Sequence, residues 1–187
     1  MKRHLSHVVF ASFCLFASVA RADAPASPSA EQAPTARDRL AGSYVYAGGE
    51  KEIAARNAAI DKATESMFFA IKGVARSKLR EKTPVSPSVG ITFGSGKITV
   101  SAAGAPPAGS PDNGSSVAYK NPDGQTSKLS QKLTADGKLV QIFASENGSR
   151  TNTFSLSSDG KTLTMRVSIE SGKLPQAVQY ALTYRRS

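Results

Sequence analysis

His4, His7 and Cys14 are the only histidines and the only cysteine of the chain, and all three fall within its first fourteen residues. The surrounding stretch "MKRHLSHVVFASFCLFASVARADA" opens with Lys2 and Arg3 and carries an apolar run from Val8 to Ala20. It ends with small residues at Ala20, Ala22 and Ala24, where a signal peptidase can cut. The run is too short to span a bilayer as a mature helix. Phe13, directly before Cys14, is not the small residue that lipoprotein processing requires. Residues 1–24 therefore read as a secretory signal peptide, which places the mature chain in the periplasm or outside the cell. That mature chain keeps no imidazole and no thiol, and the whole sequence has no tryptophan. Zinc sites of the His/Cys type, Ser-His-Asp triads, Cys-His dyads and disulfide scaffolds are excluded from it.

Catalysis would then need paired carboxylates, Lys, Ser or Tyr. Asp123, Asp136, Glu146 and Asp159 occupy turn sequences, and Glu50, Glu52, Asp61 and Glu65 occupy a helical stretch, so turn formation and solubility account for them. Glu52 with Arg56, and Glu81 near Lys78, are helix-surface pairs. No catalytic constellation, cofactor or metal site is expected, and the chain reads as a non-enzyme. The two "NGS" stretches at Asn113 and Asn147 read as turns.

Basic chemistry remains. The chain carries a formal net charge of +10, which falls to +8 once residues 1–24 are removed. In "IKGVARSKLREK", Lys72, Arg76 and Arg80 recur at i, i+4 spacing beside Phe68, Ile71, Ala75 and Leu79, as in a helix that rests on an anionic lipid surface. The same pattern suits a solvated basic face on a helix docked to the rest of the protein. Nucleic acid is not an expected partner, because no recognised motif is present and the export signal sends the chain to the wrong compartment.

The elements that must position these residues follow from composition and period. Residues 25–39 are Pro-, Ala- and Ser-rich and read as a disordered leader. A single domain is expected over residues 40–187. It opens with the short strand "GSYVY" and then changes period: Ile53, Ile60, Met67 and Val74 recur every seven residues, which predicts a helical segment over about 50–82, ended by Thr83-Pro84. An unbroken helix of that length would be roughly 50 Å long against roughly 27 Å for an eight-residue strand, so a break is expected, with Gly73 as the hinge.

After Pro84 the pattern is strand throughout. Val89, Ile91 and Phe93 alternate, "GSGK" turns, and Ile98, Val100 and Ala102 alternate back. A loop is expected from Gly104 to Ser116. Turn sequences then recur at Asn121, Thr134, Ser145 and Ser157, separating strands with one oily and one polar face. In "SSDGKTLTMRVSIE", Leu163, Met165, Val167 and Ile169 share a face, and in the last strand Val178, Tyr180, Leu182 and Tyr184 do. About nine antiparallel strands joined to their sequence neighbours predict a mainly β fold: a closed up-and-down barrel with one long or broken helix between strands 1 and 2. A two-sheet sandwich is the alternative.

The "GSYVY" strand, the closing "LTYRR" strand and the hairpins between them resemble the lipocalin or calycin group. There a Gly-x-Trp on the first strand packs at the closed end beneath an arginine from the last. Gly42 and Tyr44 would match the first element, with Tyr in place of Trp, and Arg185 or Arg186 the second. The helical insertion is similar to that of the fatty-acid-binding branch. The resemblance implies a non-catalytic carrier of an apolar or amphiphilic small molecule, with Tyr44, Tyr46, Ile91, Phe93, Tyr119, Phe143, Phe154, Met165 and Tyr180 as the inward ligand-binding candidates. The other reading is an envelope module whose barrel is filled by these same side chains, associating with anionic membrane through the basic helix.

Overall fold

The computed structural model describes residues 34–187. The expected signal peptide and most of the expected leader lie outside the described residues. The leader's last residues are ordered: α1 (Ala36–Leu40) begins before the expected start near Leu40. A capping box explains this, since Thr35 Oγ1 accepts from the Asp38 amide while the Asp38 carboxylate accepts from the Thr35 amide. Leu40, at the end of that turn, is 1 % exposed.

β1 (Gly42–Tyr46) leads into α2 (Gly49–Ala63) and α3 (Phe69–Lys82). Nine strands follow: β2 (Ser88–Gly94), β3 (Lys97–Ala102), β4 (Ala108–Pro111), β5 (Val117–Lys120), β6 (Thr126–Leu133), β7 (Leu139–Ser145), β8 (Gly148–Leu156), β9 (Thr162–Glu170) and β10 (Val178–Arg186). All ten strands form one antiparallel sheet in the order β4-β3-β2-β1-β10-β9-β8-β7-β6-β5. The fold is thus the expected mainly β barrel with a helix-turn-helix insertion between strands 1 and 2, and not a sandwich.

The ring closes through β1 and β10, where Tyr44 lies opposite Arg186 and Tyr46 opposite Tyr184. It is open along one seam between β4 and β5. There the chain just after β4 meets β6 through an isolated bridge, Asn113 to Lys132, and β4 itself meets β6 through the side chain of Gln131. β4 is the strand that the sequence reading placed in a loop. Its inward residues are Ala108 and Ser110, too small to give an oily alternation, and their size leaves room for Gln131.

The helical insertion breaks over residues 64–68 and not at Gly73, which lies inside α3. The Thr64 hydroxyl donates back to the Ile60 carbonyl, and both Arg76 and Arg80 reach Asp61, so α3 folds back along α2. The expected seven-residue stripe is divided accordingly. Ile60 and Ala63 join the core, Ile53 and Met67 are half-buried, and Val74 is 57 % exposed. Glu52 prolongs the sheet beyond the end of β1 by accepting the backbone N–H of Thr183 at 2.8 Å and its hydroxyl at 2.6 Å. At the far end of the insertion, Lys82 pairs with Asp123 in the β5–β6 turn at 2.8 Å.

Candidate functional site

All nine inward candidates face the barrel interior, but they fall into two groups. Tyr44, Ile91, Phe154 and Met165 belong to the packed core, at 0, 0, 1 and 6 % exposure, and Tyr46 and Phe93 pack against it. Tyr44 has a structural task. Its hydroxyl donates to the Leu40 carbonyl at 2.8 Å and accepts from Arg186 Nη2 at 2.8 Å, while the Arg186 guanidinium lies 4.9 Å from the ring centroid. Arg186, and not Arg185, is the closing arginine. It also donates to Gly160 and Ala41 carbonyls at 2.9 and 2.8 Å and to that of Arg39, so four backbone or side-chain acceptors from three segments converge on it.

The second group lies toward the helical end. Tyr119 and Phe143 are half-buried, pair with ring centroids 5.2 Å apart, and stand outside the packed core together with Leu129. Tyr180, 8 % exposed, belongs with the packed core and not with this pair. Between the two groups runs a row that the sequence reading missed. Gln131, Gln141 and Asn152 are opposite one another on β6, β7 and β8, followed by Val167 on β9 and Tyr180 on β10. The three amides are 1, 2 and 5 % exposed and all hydrogen-bonded. One step nearer the helical end, opposite Phe143 and Ile169, stands Arg150.

Arg150 was absent from the expected residues, yet the strand alternation contains the signal. Counting back from Phe154 by twos reaches Asn152 and Arg150 on the same inward face, and counting through Leu129, Gln131 and Leu133 does the same for β6. A face recognised by its oily members does not reveal the polar residues that share it.

The Arg150 guanidinium is part-buried. Its Nε donates to Asn152 Oδ1 at 3.0 Å, and among the described residues neither terminal nitrogen has an acceptor and no carboxylate forms an ion pair with it. Two hydroxyls in the interior, Tyr180 Oη and Tyr184 Oη, are buried without a hydrogen-bond partner among the described residues. Burial pushes the Tyr184 phenol far above its ordinary range, the nearby Tyr180 adds to the rise, and the positive charge of Arg150 opposes it. A guanidinium paired with no carboxylate among the described residues and two hydroxyls without partners there thus share the barrel interior beside a row of neutral amides. Guanidinium and hydroxyl donors are the chemistry that matches an oxyanion, and among the described residues no group of three or more His, Cys, Asp or Glu could hold a metal ion.

The basic-helix residues are differently employed than expected. Arg76 Nε contacts Asp61 at 3.1 Å and Thr64 Oγ1 at 2.9 Å, and Arg80 contacts Asp61 at 2.7 Å, so two of the three cations tie α3 to α2. Lys72 keeps no ion pair among the described residues. On the expected oily side Phe68 and Ile71 are 67 and 53 % exposed, and the neighbouring Phe69 and Val74 are 79 and 57 % exposed. Two depressions of about 440 and 400 Å³ lie on outer surfaces, one under the β9–β10 loop and one across β8, β9 and β10.

No protein-family model matches the chain, and no curated protein matches it. Among solved structures the chain is similar to the REP1-NXSQ fatty acid transporter, at 13 % identity and TM-score 0.49, over 79 % of this chain and 96 % of that one. It is similar to a Schistosoma mansoni fatty acid binding protein in complex with arachidonic acid, at 14 % identity and TM-score 0.47, over 82 and 99 %. A third similar structure is apo Caenorhabditis elegans lipid binding protein 8, at 13 % identity and TM-score 0.48, over 80 and 96 %.

Proposed function

We propose that this is an exported, non-catalytic binding protein whose barrel takes an amphiphile with an anionic head. The observation that carries the reading is Arg150: an inward guanidinium with two unoccupied terminal nitrogens, no protein carboxylate among the described residues, and the orphan hydroxyls of Tyr180 and Tyr184 in the same interior. Holding a cation in an apolar interior is unfavourable unless an anion completes it. A guest carboxylate would pair with Arg150 and could accept from a tyrosine hydroxyl, while its apolar part lies against Phe143, Tyr119, Ile169 and Leu129. Half-burial of Tyr119, Phe143, Arg150 and Ile169 supports entry from the helical end.

Titration with a fluorescent long-chain fatty acid and with its alcohol analogue tests this. Arg150→Leu should weaken the acid by roughly 10- to 100-fold, the worth of one or two charge-assisted hydrogen bonds, and move the alcohol much less. No uptake of either probe by the wild-type protein, or equal loss of both in the variant, would overturn the reading.

A second reading is supported by the exposed apolar residues at the α2–α3 turn. Phe68, Phe69, Ile71 and Val74 form a cluster larger than scattered surface hydrophobics, with Lys72 and Lys78 beside it, as suits an anionic bilayer surface. The aromatic tip, and not the Arg76 and Arg80 stripe, would make the contact. Phe68→Ser with Phe69→Ser should abolish sedimentation with anionic vesicles; unchanged sedimentation would remove this reading.

A further inference from the structure

The amides behind Arg150 can point only one way. Gln131 Nε2 donates to the carbonyls of Ile98 and Ala108 at 3.0 and 3.1 Å and to Ser110 Oγ at 3.2 Å, across the seam of the barrel. A carbonyl only accepts, so the amino end of Gln131 must face β3 and β4 and its Oε1 must face β7. There it accepts from Gln141 Nε2 at 3.0 Å. The constraint passes along: Gln141 Oε1 accepts from Asn152 Nδ2 at 2.8 Å, and Asn152 Oδ1 is left to accept Arg150 Nε at 3.0 Å. Reversing any one amide would set donor against donor or acceptor against acceptor in side chains 1, 2 and 5 % exposed, where an unmade hydrogen bond is costly.

We infer that Gln131, Gln141 and Asn152 are positioning residues that orient Arg150 from the seam, holding its Nε so that its two terminal nitrogens remain for a planar, two-oxygen anion, and that they thereby set a preference for a carboxylate head over an uncharged one. This rests on the reading of Arg150 as the head-group anchor. The neutrality of the row is the second half of the device. An aspartate at position 152 could hold Nε equally well but would compensate the guanidinium internally and remove the drive to take an external anion. Amides orient the cation without neutralising it.

The test uses two readouts on the intact protein. In ligand-free protein, the NMR signal of Arg150 Nε–H should move and exchange at least about tenfold faster in Gln141→Met, a variant that touches neither Arg150 nor the three seam bonds. An unchanged signal overturns the relay. In binding, the ratio of dissociation constants for a long-chain fatty alcohol and the matching fatty acid should fall at least about fivefold in Gln141→Met and Gln131→Met, and the preference should vanish in Asn152→Asp. A ratio held by both Gln141→Met and Asn152→Asp overturns the inference. If the wild-type protein binds neither probe, the anchor reading falls and the Nε–H signal alone decides the relay. Gln131→Met also severs the seam, so Gln141→Met is the deciding variant should Gln131→Met fail to fold.

Discussion

Arg150 and Tyr184 show how single residues can be misplaced by type and found by position. An arginine in a run such as "GSRTNTFSL" looks like a surface residue, but the period of two that buries Phe154 carries Asn152 and Arg150 inward with it. Tyr184 is fully buried, and its hydroxyl has no partner among the described residues. Tyr184→Phe should therefore leave thermal stability at neutral pH unchanged or raise it by about 1 kcal/mol, since an unsatisfied buried hydroxyl is lost. The pH dependence has a definite sign. The folded-state phenol is raised above its ordinary value near 10, so its contribution is fully present below about pH 10 and is lost as the pH climbs toward the folded-state value. Alkaline unfolding followed by circular dichroism should start above about pH 10 and move to higher pH in Tyr184→Phe; coincident curves would contradict the buried, unpartnered phenol.

Among the elements, the helical insertion departs most from its sequence pattern. A seven-residue apolar repeat was legible, and so was the need for a break. The place of the break was not, because it depends on a carboxylate at Asp61 meeting two guanidiniums from a segment that turns back on it. α2 supplies Ile60 and Ala63 to the core, whereas α3 supplies no buried residue, so the two halves of one apparent helix differ in what holds them. Asp61→Asn should cost the whole protein no more than about 1 kcal/mol, as expected for part-exposed ion pairs. Its effect should be local: amide exchange should quicken throughout α3 and stay unchanged in β8, β9 and β10. Uniform protection across α3 in the variant would show that something other than Asp61 fastens it. β4 is hidden in the sequence for the complementary reason. A strand facing Gln131 needs small inward residues, and Ala108 and Ser110 do not announce a strand.

For the whole molecule, the ring of strands depends on closure at β1 and β10, where Arg186 gathers carbonyls from Arg39, Ala41 and Gly160 and covers the Tyr44 ring. Gly42 stands beneath it: its φ is +147°, and a Cβ there would come within 2.5 Å of the Arg186 Nη1. Arg186→Leu should destabilise the fold by about 3 kcal/mol, through three carbonyls and a phenol deprived of a charged donor, measurable as a lowered urea midpoint with unchanged slope. A variant as stable as the parent would show that the chain ends are held by strand pairing alone. The sequence by itself determined the strand alternation, the turns at Asn121, Thr134, Ser145 and Ser157, the inward faces and the helical insertion, because these depend on neighbours along the chain. Only the tertiary structure decided that Arg186 is the closing arginine, that Arg76 and Arg80 are taken by Asp61, and that Arg150 stands inside without a counter-ion among the described residues. Those outcomes depend on which distant groups meet once the sheet curls, and a donor's partner is a property of that meeting, not of the residue that carries it.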